Sequence, residues 1–177
     1  MKSKSLGNLP AVTSLILAAA SILVSVYFGQ TYRIHDGAFY FAAFAGVVLL
    51  VSLLLRMTQV TVKDEEIKHQ DQTIPFAYVF GFVILLVFYT LEWWLLGCVG
   101  APNPANVGDL ANEIATGLSV QGAIYFSVIT ATTLGYGDLA PLTDGAKIFA
   151  ASQALGFSIY AVTGLAILSA KRRNPVE

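Results

Sequence analysis

The sequence predicts an all-α membrane protein with four transmembrane helices and one short re-entrant helix between the third and the fourth. Of the 177 residues, 56% are hydrophobic and only 12% are charged, whereas a typical soluble domain is about 25% charged. Four largely uncharged segments are long enough for a helix that crosses a bilayer, and a fifth is too short. Composition and segment length together therefore define the fold class.

The first two predicted helices lie within residues 1–56. The first apolar segment covers residues 10–28, and Pro10 suits the first turn of a helix because no backbone N–H is needed there. The second covers residues 37–55 and is closed by Arg56. Neither segment has arginine at every third position, so the pair is not predicted to sense voltage. We expect these helices to pack outside the module formed by residues 75–170 and to face lipid.

The next two segments are a polar linker and the third transmembrane helix. Residues 57–74 carry charges of both signs, which is typical of a cytoplasmic linker, either a solvated loop or an interfacial helix. The third apolar segment covers residues 75–96 and ends near Glu92-Trp93-Trp94. Tryptophan is typical of the membrane interface. We therefore favour a carboxylate at the outer interface for Glu92, and an intramembrane functional carboxylate is the alternative.

The re-entrant helix is predicted at residues 119–131. The preceding polar stretch, residues 97–118, has room for a short helix at Asp109–Thr116. Ser119 is a residue type favoured at the N-cap. The apolar segment that follows reaches about 20 Å at the rise of an α-helix, which is too short to cross a bilayer. A helix of this length enters the membrane and returns on the same side.

The distribution of basic residues predicts the orientation. The last apolar segment covers residues 144–170 and is followed by a short tail, residues 171–177. Eight basic residues fall on the side of both termini and two on the other: Lys2, Lys4, Arg56, Lys63, Lys68, Lys171, Arg172 and Arg173 against Arg33 and Lys147. Basic residues favour the cytoplasmic side. Both termini are therefore predicted to be cytoplasmic, in a plasma (inner) membrane, with the re-entrant helix on the outer side.

Residues 132–138, TTLGYGD, follow the re-entrant helix directly and offer a row of oxygens. Thr133, Leu134, Gly135 and Tyr136 each present a backbone carbonyl, and Thr133 adds a hydroxyl. These carbonyls can face one axis only if the backbone alternates between right- and left-handed conformations. Gly135 and Gly137 supply the positive φ that other residues resist. Carbonyls exposed at membrane depth are tolerated only where they line a water-filled path.

The string TTLGYGD, with AIYFSVITA before it and LAPLTDGAK after it, resembles the selectivity filter of potassium channels. The resemblance covers residues 75–170 and implies a pore module of outer helix, turret, pore helix, filter and inner helix. It implies that K⁺ binds at Thr133, Leu134, Gly135 and Tyr136, with Gly137 completing the filter. Asp138 is then at the outer mouth. A filter needs four loops around its axis and each chain has one, so a homotetramer is implied.

The resemblance also assigns supporting roles. Thr132, Phe126 and Glu92 are expected to support the filter, and Gly156 occupies the position of an inner-helix hinge, with close helix packing as the alternative. Phe126 is placed where many members have a tryptophan that donates to the filter aspartate. Asp138 is therefore expected to have few partners. Leu134 stands where valine is more common.

Other function classes find little support. No catalytic triad, phosphate loop or metal-ligand cluster stands out, so neither an enzyme nor a cofactor is expected, and a net charge of −1 gives no basic surface for nucleic acid. The expected partners are K⁺, the lipid bilayer and further copies of the chain. Cys98 is the single cysteine, and a buried thiol is favoured over a link between subunits. The alternatives are a non-selective cation channel, or a non-conducting membrane subunit that assembles with a channel.

Overall fold

The computed structural model describes the backbone of residues 9–31, 36–64, 73–101 and 117–173. Within these ranges the chain forms five α-helices and one pair of two-residue strands. The protein is therefore an all-α membrane protein. The elements are α1 (Leu9–Thr31), α2 (Asp36–Asp64), α3 (Thr73–Leu96), β1 (Val99–Gly100), α4 (Val120–Ala131), β2 (Ala140–Pro141) and α5 (Asp144–Arg173). The short helix predicted at residues 109–116 lies outside the described residues.

Three of the described helices are long and apolar enough to cross a membrane, at Asp36–Met57, Phe76–Leu96 and Asp144–Ile167. Helix α1 has 23 residues, but the part of it whose side chains are described is a shorter apolar stretch, Thr13–Tyr27. A fourth span therefore stays a prediction. Helix α4 has 12 residues, which is too short to cross a bilayer, as the sequence predicted.

Two helices continue past the ends that the sequence suggested. Helix α2 passes Arg56 and ends at Asp64, inside the segment predicted to be a linker. No glycine or proline lies between Arg56 and Asp64, so nothing in the local sequence stops the helix when its residues become polar. Helix α5 begins at Asp144 as predicted and reaches Arg173, inside the segment predicted to be a tail.

Helix α2 is buried on one face and exposed on the other, and its contact with lipid stays a prediction. Its most extensive contact is with α5, and it also packs against α1 and α3. The buried face carries small residues, Ala38, Ala42, Ala45 and Gly46, and small residues let membrane helices approach closely. A Cβ on Gly46 would lie 2.5 Å from the hydroxyl oxygen of Tyr89. Only the opposite, exposed face of α2 is free to meet lipid.

The start of α2 is attached to the start of α5. The amide N–H of Gly145 donates to Oδ1 of Asp36 at 2.9 Å. A Cβ on Gly145 would lie 2.8 Å from the Cα of Asp36, so the close approach of the two helices requires glycine there. Residues outside the predicted pore module therefore fix the first turn of the predicted inner helix.

An aromatic cluster forms the centre of the bundle. Trp93 of α3 lies between Phe39 of α2, at a ring-centroid distance of 5.9 Å, and Phe149 of α5, at 4.8 Å. All three side chains are buried. Phe126 of α4 meets the same tryptophan at 4.8 Å and 88°, an edge-to-face geometry that aromatic pairs prefer. This cluster sets the position of the short helix α4 in the bundle.

Candidate functional site

Helix α4 delivers the chain to the loop of residues 132–138. Ser119 is the N-cap as predicted, with extended backbone, and its Oγ accepts a hydrogen bond from the amide of Gly122 at 3.0 Å. Thr132 is the C-cap of the helix, and its hydroxyl donates to the carbonyl of Val128 at 2.8 Å. The C-terminal end of a helix carries partial negative charge. The loop therefore begins at the end of α4 that has negative electrostatic potential.

The loop backbone takes positive φ at every second residue. The values are +55° at Thr133, +49° at Gly135 and +80° at Gly137. Positive φ at the two glycines is confirmed, and Thr133 adds a third position that the sequence did not predict. A β-branched residue rarely adopts positive φ, so the surrounding structure must enforce it. The alternation is the condition for successive carbonyls to face one side of the loop.

The first half of the loop is hydrogen-bonded to the last turn of α4. The amide of Leu134 donates to the carbonyl of Ile129 at 2.9 Å, and the amide of Thr133 donates to Thr130 at 3.1 Å. The hydroxyl of Thr133 donates to the carbonyl of Thr132 at 2.7 Å, and its oxygen keeps lone pairs for a further partner. These bonds explain how Thr133 is held at positive φ.

The far end of the loop is attached to the segment that follows α3. Strand β2 pairs antiparallel with β1, so that Val99 lies opposite Pro141 and Gly100 opposite Ala140. The amide of Leu142 donates to the carbonyl of Cys98 at 2.8 Å. The thiol of Cys98 is buried, in agreement with the interpretation favoured from the sequence. Both ends of the loop are thus fixed.

Asp138 has a partner that the sequence interpretation missed. The hydroxyl of Tyr125 donates to Oδ2 of Asp138 at 2.7 Å. This hydrogen bond, together with the nearby negative charge, raises the pKa of Tyr125 to about 12. The donor to Asp138 is therefore residue 125, and not residue 126 as the resemblance implied. Neighbouring residues on a helix point about 100° apart, and Tyr125 is the aromatic residue that faces the loop.

Phe126 and Glu92 instead contact the helices behind the loop. Phe126 is buried against Trp93, so it joins α4 to α3. Glu92 is fully buried, so its carboxylate faces neighbouring helices, and its depth in the membrane stays a prediction. Ser21 and Ser25 of α1 donate to its two carboxylate oxygens at 2.7 and 2.5 Å. Glu92 therefore connects α3 to α1, and serines spaced four apart in an apolar helix were the available sequence signal.

Gly156, the candidate hinge, and Gly164 of the same helix α5 differ in their surroundings. A Cβ on Gly156 would make ordinary contact with Cδ2 of Leu50 at 3.5 Å, so close packing does not require glycine there. A Cβ on Gly164 would overlap the ring of Tyr78, so packing does require glycine. A hinge at Gly156 stays a prediction. The alternative, that glycine is needed there for close helix packing, is not supported by the contacts within one chain.

Two comparisons with known proteins found similar sequences, and a third found no similar structure. A family model described as an ion channel, Ion_trans_2, matches residues 76–171, from the first turn of α3 to the last turn of α5. A protein of Methanothermus fervidus described as uncharacterised is 45% identical over 49 residues, which is 26% of this chain and 8% of that protein. The chain thus corresponds to less than a tenth of that relative. No solved structure matches the chain.

Proposed function

Because this chain belongs to the ion-channel family, we propose that it forms a homotetrameric, potassium-selective pore that conducts K⁺ passively across a membrane. The observation that carries the proposal is the alternation of positive φ at Thr133, Gly135 and Gly137. It lies directly after a helix too short to cross a bilayer, inside the matched region. A backbone of this kind can present a column of carbonyls to an ion.

Selection of K⁺ would follow from the carbonyl column. The carbonyls of Thr133, Leu134, Gly135 and Tyr136 take the place of water around the ion, and the hydroxyl of Thr133 adds an oxygen at the inner end. No side-chain charge is needed in the column, so a monovalent cation can bind and leave. The C-terminal end of α4 adds negative potential at the same end.

The outer mouth would attract cations through its carboxylate. Asp138 is exposed and oriented by the hydroxyl of Tyr125. In the proposed orientation, with both termini cytoplasmic, it faces the outer solution. A fixed carboxylate at a pore mouth raises the local cation concentration without binding each ion tightly.

The exposure of the loop in a single chain favours a tetramer. Leu134 and Tyr136 are 56% and 69% exposed, although the loop is expected at membrane depth. Backbone polar groups do not face lipid unpaired, so the loop needs either a water-filled path or a protein neighbour on each side. Four copies around one axis supply both, because each loop then borders the path and two neighbouring loops.

Flux from liposomes tests the proposal. The purified chain is cross-linked to count subunits and then reconstituted into liposomes loaded with K⁺ or with Na⁺. The proposal predicts a four-subunit ladder and K⁺ efflux that exceeds Na⁺ efflux by roughly a hundredfold or more, a ratio that corresponds to about 2.7 kcal/mol. Equal efflux of the two ions, or a monomer that passes neither, would contradict it.

A further inference from the structure

A hydrogen-bonded bridge joins three helices inside the bundle. Gln153 of α5, Trp93 of α3 and Ser127 of α4 are all fully buried. The indole N–H of Trp93 donates to Oε1 of Gln153 at 2.8 Å. Nε2 of Gln153 donates to the backbone carbonyl of Ser127 at 3.0 Å and to its Oγ at 2.9 Å. One amide side chain of α5 therefore contacts both α3 and α4.

The hydrogen-bonding groups of Trp93 and Ser127 fix the orientation of the side-chain amide of Gln153. An indole N–H can only donate, so the oxygen of Gln153 must face Trp93. Both amide hydrogens are then used by Ser127, one on the carbonyl and one on the hydroxyl. Glutamate lacks these donors, and methionine has neither donors nor a strong acceptor. The bridge therefore depends on glutamine rather than on polarity alone.

The bridge contacts the part of α4 that is hydrogen-bonded to the loop. Ser127 lies two residues before Ile129, whose carbonyl accepts the amide of Leu134. Apolar contacts such as Phe126 on Trp93 limit how far α4 can separate from α3, but they do not fix its rotation. Hydrogen bonds are directional, and a fully satisfied buried network favours one arrangement. A rotation of α4 would break the bridge before it lost much apolar contact.

We propose that Gln153 is a positioning residue for the filter. It fixes the rotation of α4 against α5 and α3, and it thereby holds residues 133–137 in the alternating conformation that accepts K⁺. Movement of α5 at this level is then transmitted to the loop through Ser127. This inference rests on the proposed function, because it assigns a role in ion selection to a residue outside the loop.

The test compares two identical substitutions at different sites. Gln153→Met keeps the length of the side chain and removes all three hydrogen bonds, whereas Gln121→Met makes the same change on the exposed first turn of α4. Two quantities are measured: the Na⁺/K⁺ permeability ratio in bilayers, and the increase in tetramer melting temperature when K⁺ replaces Na⁺. Bound K⁺ stabilises the state that holds it, so the second reading needs no open gate.

We expect Gln153→Met to raise the permeability ratio roughly tenfold or more and to remove most of the K⁺-dependent increase in melting temperature. Gln121→Met should change neither. Ser127→Ala should have a smaller effect, since its carbonyl remains, and adding it to Gln153→Met should change the ratio no further, because both act on one interaction. A merely structural role would instead lower the melting temperature equally in both ions and leave the ratio unchanged.

The outcomes separate this inference from the proposed function. If the wild-type chain shows no preference for K⁺ in either measurement, the proposed function fails and the role of Gln153 fails with it. If the wild type selects K⁺ and Gln153→Met keeps the wild-type values, only the role of Gln153 is overturned. If Gln153→Met does not assemble, Trp93→Phe decides by the same criteria, since it removes one donor and keeps most of the aromatic packing.

Discussion

The hydroxyl of Tyr125 donates to Oδ2 of Asp138 at 2.7 Å and so connects the middle of α4 to the exit of the loop. Other bonds hold the start of the loop to α4 and its end to the segment after α3. The Tyr125–Asp138 hydrogen bond adds a direct connection between α4 and the last residue of the loop. Residues 133–137 are therefore held between two points of the same helix.

Tyr125→Phe removes this bond with little change in volume. Both groups are exposed in the chain, and polar contacts in water are weak, so we expect K⁺ selectivity to persist while the conducting state becomes shorter-lived by roughly a fewfold. Single-channel recording measures the open durations. A variant with unchanged open durations would show that the bond does not stabilise the loop.

The same bond predicts insensitivity to moderately alkaline solution. Tyrosine ordinarily loses its proton near pH 10, and the hydrogen bond to Asp138 raises the pKa of Tyr125 to about 12. The contribution of a group with a raised pKa is complete below its ordinary value and is lost as the pH rises through the raised value. Open durations should thus be constant from pH 7 to pH 10 in the wild type. A decline centred below pH 10 that is absent in Tyr125→Phe would contradict the assignment.

Gly135→Ala tests the loop backbone without adding a clash. Gly135 has a φ of +49° and nothing of its own chain within 4 Å of its Cβ position, so the strain within one subunit is conformational. Left-handed backbone costs alanine about 1–2 kcal/mol in each subunit, and K⁺ flux should fall by about tenfold or more. Gly37→Ala is the matched control, because it also meets open space, without a positive φ, and it should leave flux unchanged. Intact flux in Gly135→Ala would contradict the role of the alternation.

Two glycines of α5 should respond differently to alanine. Gly164→Ala places a methyl group against the ring of Tyr78, and overpacking of this kind costs about 1–3 kcal/mol, which thermal unfolding of the reconstituted protein measures. Gly156→Ala fits at ordinary contact distance and should keep the melting temperature. If Gly156 is a hinge, its alanine variant opens less often. A lower melting temperature with unchanged opening would instead assign Gly156 to packing.

Glu92→Leu should loosen the attachment of α1. The change leaves the hydroxyls of Ser21 and Ser25 without their carboxylate, and an unpaired buried hydroxyl costs about 1–3 kcal/mol. Serine can partly recover by donating to its own helix, so we expect a loss of about 1–2 kcal/mol in total. Adding Ser21→Ala and Ser25→Ala to Glu92→Leu should restore most of the stability, because no polar group is then unpaired. A triple variant no more stable than Glu92→Leu would contradict the pairing.

Local features of this protein could be predicted from its sequence. The N-cap at Ser119 and the length of α4 follow from residue type and spacing. Positive φ at Gly135 and Gly137 follows from the need for alternating backbone. Each of these depends on residues a few positions apart, where intrinsic conformational preference decides.

Hydrogen-bond partners that are far apart in the chain could not be predicted from the sequence in the same way. Glu92 and Ser25 are 67 residues apart, and Gln153 and Trp93 are 60 apart, so their pairing depends on how whole helices pack. The choice between Tyr125 and Phe126 as partner of Asp138 depends on the rotation of α4. Apolar periodicity does not fix this rotation, because the helix has no single apolar face. Positive φ at Thr133 likewise comes from the hydrogen bonds around it, against its own preference.

The most direct test of a potassium-selective pore is the reversal potential of the reconstituted wild-type chain, with K⁺ on one side of a planar bilayer and Na⁺ on the other. A carbonyl column that selects K⁺ predicts a reversal potential far from zero, at the value set by a K⁺ to Na⁺ permeability ratio of roughly a hundred or more. A reversal potential near zero would contradict the account, because the same loop would then pass both ions.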